Sequence, residues 1–376
     1  MHEECNTLAG ALAIPSLAGE NRDMTTLQAD ADWFSGLSNQ VGRERRSIPA
    51  ALDHTVAILL FLLVSWLLAS RQLYTAPDDT SYLSYFDGVA ASPSDSTSWE
   101  FLIEEPLWAL WATTTGYALG AEMAMRATIF LSSFGLLWSA SRLSKGAWVF
   151  VLLVFILSGH LATQLYFNQI RQGVALTVFL AGLASGRRSG FFLAGIAWTI
   201  HSSLTFAFLA MILSVLTKRF SNRNVVAFSV VTAIVALSIK AYIDSYVFVD
   251  LLGRRGTGST FERALNLNYY IVSVSAFAVV MNAVRNFEQS DYLLWRLTWF
   301  LYCMAFVASF YHESSGRIFY LMSILYPILL ARRFPKRIPV YVLFLMFTAA
   351  SSLWGQIRDP GDSVLSRWEL VLHGDR

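Results

Sequence analysis

Charge is scarce in this sequence. Asp, Glu, Lys and Arg make up 14% of the 376 residues, against roughly 25% in a soluble domain. Hydrophobic residues make up 55%, and mean hydropathy is +0.48. A water-soluble fold of that composition would leave too much apolar surface exposed, so burial in a bilayer is the natural reading. A soluble cytosolic enzyme, a disordered chain and a disulfide-built secreted module are excluded. Cysteine is scarcer still. Cys5 and Cys303 stand far apart and form neither a metal spacing nor a disulfide framework. The net charge is only +2 and no basic stripe carries interleaved aromatics, which argues against nucleic acid as a partner. There is no Walker motif, no dinucleotide fingerprint ahead of a helix and no H-E-x-x-H, so ATP coupling is disfavoured.

What the sequence has is a succession of long apolar runs. They fall at about 50–70, 123–142, 146–160, 172–186, 190–201, 203–217, 224–243, 269–285, 293–310, 318–331 and 338–355. These predict an all-α, polytopic membrane bundle of about eleven spans (ten to twelve) over residues 48–355. Runs 190–201 and 203–217 are short, and read as two short helices meeting at His201 or as a broken pair. The stretch 106–119, behind Pro106, reads as an interfacial or re-entrant helix. Residues 1–47 are polar and end in Arg43, Arg45 and Arg46, a cytoplasmic, largely disordered flank without a cleavage site. With the N-terminus inside, cytoplasmic segments hold 17 of the 28 Lys and Arg, as the positive-inside rule requires. The outer segments are then loops 71–122 and 244–268 and the tail 356–376.

In this layout Asp78, Asp79, Glu104, Glu105, Arg171, His201, Arg254, Arg255, Glu313 and Arg317 all fall on the outer side. Ionisable groups at membrane depth are costly, and a one-sided set points to an outward-facing polar cavity. Gln164, Asn168 and Arg171 recur at i, i+4 and i+7, one helix face, with Gln172 adjoining. A guanidinium there is either a snorkelling anchor or a planar fork for phosphate; the flanking amides favour the fork. His201-Ser202-Ser203 lies between short apolar runs, so a broken helix lining a cavity competes with a plain capping His. Its imidazole suits a diphosphate or acid/base work. Arg317 precedes Tyr320 by three residues and would add a second cation, although Glu313 four residues before it also permits a surface ion pair. Asp78, Tyr82 and Tyr85 recur at i, i+4 and i+7. Carboxylates beside aromatic faces suit a sugar, so Asp78, Asp79 and Glu105 are the candidate bases, while Glu104 reads as a helix cap. Arg254 and Arg255 sit in a Gly-rich outer loop, readable as a lid meeting a phosphate or as a link. Glu122 and Arg126 read as a structural i, i+4 pair.

These residues carry a resemblance. Pro77-Asp78-Asp79-Thr80-Ser81-Tyr82, Glu105-Pro106-Leu107-Trp108, Asn168-Gln169-Ile170-Arg171-Gln172-Gly173-Val174-Ala175, His201-Ser202-Ser203-Leu204, and Arg317 with Tyr320 resemble the EpsG-type polysaccharide polymerases, relatives of the Wzy O-antigen polymerases, over roughly 55–335. Where the family pattern often has Tyr or Phe after Glu-Pro-x, this chain has Trp108.

The resemblance implies a GT-C-like glycosyltransferase architecture at the outer face of the bacterial inner membrane. It implies transfer of a glycan from an undecaprenyl-diphosphate carrier to a hydroxyl of another repeat unit, in exopolysaccharide or O-antigen synthesis. The donor is already activated, so neither metal nor other cofactor is implied. Arg171, His201 and Arg317 would bind the diphosphate. Tyr82, Tyr85, Asn168, Gln172, Tyr320, Arg254 and Arg255 would meet substrate. The implied partners are the lipid-linked donor and acceptor, membrane lipids, a chain-length regulator and a flippase. A lipid-linked-glycan ligase, a polysaccharide transporter and a membrane acyltransferase stay open as alternatives.

Overall fold

The computed structural model describes residues 48–76, 78–88, 105–158, 160–186, 188–245, 291–309, 315–334, 337–358 and Trp368. The described residues are helical and contain no strand. In chain order the helices are α1 (Ile48–Ser70), α2 (Asp79–Phe86), α3 (Pro106–Leu119), α4 (Ala121–Leu143), α5 (Trp148–Leu157), α6 (Ile170–Ser185), α7 (Arg188–Ile196), α8 (Leu204–Leu216), α9 (Asn222–Ser245), α10 (Tyr292–Ser309), α11 (Ser315–Arg333) and α12 (Ile338–Arg358). A π-helical segment (His160–Asn168) precedes α6. A short 3-10 turn (Ala197–Thr199) follows α7.

Helices cover every expected apolar run except 269–285, which lies outside the described residues with 1–47, 246–290 and most of the tail. Leu52–Ser70 and Ala121–Leu143 are long and apolar enough to cross a membrane. Several other apolar helices, among them Trp148–Leu157, Ile170–Ser185 and Leu204–Leu216, are shorter. Two breaks account for much of that shortness. Run 146–160 stops at Leu157, and the chain then winds through the π-helical segment to Gln169. Run 190–201 ends in the 3-10 turn before His201, giving the two short helices that meet there. In a bilayer, backbone freed at such breaks must find partners within the protein or a wet cavity.

Helix α4 is the central post. It packs against α1, α2, α3, α5, α6 and α11. Its polar residues do not interrupt it, because Thr128, Ser132 and Ser133 return their hydroxyls to carbonyls one turn earlier. The tightest partner is α6: Thr177 Oγ1 donates to the Ser132 carbonyl at 2.7 Å, and only the missing Cβ of Gly135 admits the Thr177 methyl. Large apolar side chains such as Leu52, Leu59, Leu63 and Trp66 on α1 stay exposed, a lipid-facing pattern.

The bundle carries two polar clusters at opposite helix ends. At one end Arg332 Nε donates to Asp291 Oδ1 at 2.6 Å and its Nη1 to the Leu143 carbonyl at 2.9 Å. There Arg296 also holds the Thr217 and Phe220 carbonyls. This end joins the C-termini of α4, α8 and α11 to the start of α10. The other end joins the C-terminus of α1 to the starts of α4, α6 and α8, and carries α2 and the entry to α3. There Arg71 makes a buried fork with Asp79, Nη1 to Oδ2 at 2.8 Å and Nη2 to Oδ1 at 2.5 Å, and stacks its guanidinium 4.5 Å over Phe167.

Two expected local pairings are corrected. Arg126 does not pair with Glu122; its Nη1 donates to the Ala69 and Arg71 carbonyls left open where α1 ends. Glu122 instead accepts from Tyr74 Oη at 3.3 Å. The single helix face through Gln164, Asn168 and Arg171 is also divided. Asn168 Nδ2 does donate to Gln164 Oε1 at 3.3 Å, but Gln169 leaves helical geometry and Arg171 opens a new helix.

Candidate active site

Glu105 organises the second cluster. Its backbone is left-handed, φ 63° and ψ 60°, immediately before Pro106 at the start of α3. A non-glycine side chain resists that conformation, so it persists only where the surroundings over-determine it. Here they do. Arg171 Nη1 donates to Glu105 Oε2 at 2.7 Å. His201 Nδ1 lies 2.9 Å from Glu105 Oε1, and the Ser202 N–H donates to the same oxygen at 3.0 Å. One buried carboxylate thus ties the entry of α3 to the starts of α6 and α8.

Burial alone would raise the Glu105 carboxyl. The hydrogen bond and charge of His201, the Arg171 charge and the Ser202 N–H outweigh it and hold the group at about 2. Glu105 is therefore an anion at neutral pH.

The aromatic residues of α2 pack around the cluster. The Arg171 guanidinium lies 6.0 Å from the Tyr82 ring centroid and 5.3 Å from that of Tyr85. Tyr82, Tyr85 and Phe86 meet the buried Trp108 edge-on, at centroid distances of 5.9, 6.4 and 5.7 Å. The close fit of α2 on α3 needs Gly116, where a Cβ would overlap the Phe86 carbonyl. Tyr82 Oη donates to the Asn168 carbonyl at 3.4 Å. Burial raises the Tyr82 hydroxyl above its usual range despite Arg171, so it stays a neutral donor. Trp108 Nε1, Gln169 Oε1, Arg171 Nε and Ser203 Oγ are buried without a hydrogen-bond partner among the described residues.

The structure brings together Glu105, Arg171, His201, Tyr82, Tyr85 and Asn168. Gln172 is fully buried one residue beyond Arg171. Asp79 sits apart, fully buried and forked by Arg71. Asp78 is exposed; its carbonyl receives the Tyr82 N–H and its side chain makes no capping bond. Arg317 and Tyr320 fall in the first two turns of α11, with side chains outside the described set. Arg254 and Arg255 lie outside the described residues. Sequence reasoning missed Trp108 as the aromatic floor and Arg71 as the partner of Asp79. Eight residues separate Arg71 from Asp79 across a turn, a spacing that no helix or strand period flags.

A family model describing the EpsG family matches residues 55–364. The chain belongs to the EpsG family. The match runs from within α1 to beyond the end of α12, and every residue of the Glu105 cluster lies within it. Family membership assigns a polysaccharide-polymerase-like role. No curated protein and no solved structure matches the chain.

Proposed function

We propose that this EpsG-family protein polymerises oligosaccharide repeat units carried on undecaprenyl diphosphate, at the outer face of the bacterial inner membrane. The observation that carries the reading is the Glu105–Arg171–His201 cluster beneath an aromatic wall. Arg171 offers a half-buried guanidinium held in place by Glu105, a fixed planar cation for a diphosphate. Half-buried Tyr85, 5.3 Å from the Arg171 guanidinium, offers a ring of the kind sugars pack against, with buried Tyr82 and Trp108 packed behind it. Arg317, at the start of α11, would supply the second cation.

The outer-face location draws support from the division of polar ends. The Glu105 cluster lies at the ends of helices whose opposite termini carry Lys145, Lys218, Arg219, Arg332 and Arg333. A cation-rich end belongs on the cytoplasmic side. Transfer needs no nucleotide, because the bond to the diphosphate is already activated. A transporter would place its site at the midplane between repeats, whereas the Glu105 cluster lies at the helix ends.

The test is the length distribution of lipid-linked glycan in a deletion strain. Loss of the gene should leave single repeat units on the lipid, and the restored gene should return long chains. Unchanged chain lengths on deletion would overturn the reading.

A further inference from the structure

The polymerase reading leaves open which group takes the proton from the acceptor hydroxyl, and the carboxylates of the outer end are poorly placed for it. Asp79 is closed in its fork with Arg71. Glu105 has both oxygens engaged by Arg171, His201 and Ser202. Asp78 is exposed at the start of α2. His201 remains, and its geometry is that of an oriented imidazole. Its Nδ1 faces two groups, Glu105 Oε1 at 2.9 Å and the Ser203 N–H at 3.4 Å. The shorter contact decides the tautomer, since a bare nitrogen and a carboxylate oxygen at that distance would repel. Nδ1 therefore carries hydrogen toward Glu105, and Nε2 is the nitrogen with a lone pair. No described residue bonds Nε2.

We infer that His201 Nε2 is the general base of glycan transfer and that Glu105 is its positioning residue. This rests on the polymerase reading above. In the step, the acceptor O–H bond breaks and its proton goes to Nε2. The freed oxygen pair forms the new bond to the anomeric carbon of the donor. The bond from that carbon to the diphosphate oxygen breaks, and the electron pair leaves with the lipid diphosphate, whose charge Arg171 faces. The imidazolium later returns its proton to solvent or to the released diphosphate. Glu105 stabilises the imidazolium as it forms and keeps the ring in the productive tautomer, the part a buried carboxylate plays beside any catalytic histidine. The left-handed backbone at Glu105 is the cost of aiming it between Arg171 and His201. Glu105 at the entry to α3 faces the imidazole directly, Arg171 on α6 binds the same carboxylate, and Tyr82 and Tyr85 on α2 face Arg171, with Asp78 acting on Tyr82 from the start of that helix.

The experiment uses the full-length protein in proteoliposomes with a synthetic lipid-diphosphate glycan serving as donor and acceptor. Wild-type protein should elongate it. His201→Asn keeps an N–H for Glu105 but removes Nε2, and elongation should fall about 100-fold or more, within the range for a lost acid/base group. His201→Ala should fall equally and recover at least about tenfold when imidazole is added, a response that a structural histidine would not give. Glu105→Gln should lower kcat more than it raises KM, because the charge that steadies the imidazolium formed in the step is gone. Near-wild-type elongation by His201→Asn, or a His201→Ala that imidazole does not revive, would overturn the assignment while wild-type elongation leaves the polymerase reading standing. Absence of elongation by wild-type protein would instead bring down that reading, and this inference with it.

Discussion

Arg171 and Glu105 stand 66 residues apart in sequence, yet an Arg171 nitrogen donates to a Glu105 oxygen at 2.7 Å. The bond makes the guanidinium a fixed part of the site rather than a side chain reaching for the lipid headgroups. It also leaves Arg171 Nε without a described partner.

Arg171→Lys should insert and fold but elongate glycan at least about tenfold more slowly, as expected when a fork is reduced to a point charge. A lysine can satisfy Glu105 or the diphosphate, not both in one plane. Membrane yield and chain-length analysis of the variant check this. Near-wild-type polymer would return Arg171 to the role of an anchor.

The Glu105 cluster also predicts an acid limit to stability. The Glu105 carboxyl sits at about 2, lowered from 4.5. A lowered carboxylate stabilises the fold above its unfolded value, and that contribution is lost as pH falls through the folded value. Its size is on the order of 3 kcal/mol, from about 1.4 kcal/mol per unit. Thermal unfolding in detergent should thus be level for this group above about pH 5 and weaken between about pH 4.5 and 2, beyond whatever other carboxylates contribute. Glu105→Gln should show less of that acid loss. Identical acid profiles for the two proteins would remove Glu105 as a buried anion.

The division between what was legible in the sequence and what was not has physical causes. Hydropathy placed the helices well, because lipid-facing apolar runs are written locally, and the short pair on either side of His201 followed from run length alone. The site residues Glu105, Arg171 and His201 were legible as ionisable groups among long apolar runs. Their partners were not. Asp79 reads like Asp78 in sequence, yet Asp79 faces Arg71 across a turn while Asp78 faces water. The π-helical segment before Gln169 broke a face that the i, i+4, i+7 spacing drew as continuous. Period arguments hold only inside one helix, and a site assembled at helix ends is where they fail.

Asp79 should accordingly behave as a stabilising residue. Asp79→Asn leaves the buried Arg71 charge with weakened compensation, and breaking a buried pair this way costs about 3–5 kcal/mol. The expected result is a lower thermal midpoint and poor yield. Replacing Arg71 and Asp79 together by apolar residues of similar volume should lose much less, because no orphan charge remains. If Asp79→Asn instead folds with wild-type stability and loses only turnover, Asp79 belongs among the reacting groups.

The placement of the site relative to the membrane can be tested without any activity. Ser81 on α2 is exposed beside the Glu105 cluster, and Ser221 is exposed at the opposite end, just before α9. With Cys5 and Cys303 replaced by serine, a single cysteine at either position reports its side through an impermeant maleimide. The cation-rich end carries Lys218 and Arg219 next to Ser221 and Arg332 and Arg333 at the end of α11, while at the site end the cations Arg71 and Arg171 are paired with the carboxylates Asp79 and Glu105. The positive-inside rule then sets Ser221 in the cytoplasm and Ser81 outside. Ser81→Cys should label in intact spheroplasts, and Ser221→Cys only after the membrane is permeabilised. The reverse pattern would put the Glu105 cluster among cytoplasmic nucleotides and away from translocated lipid-linked glycan, and the proposed reaction could not occur there.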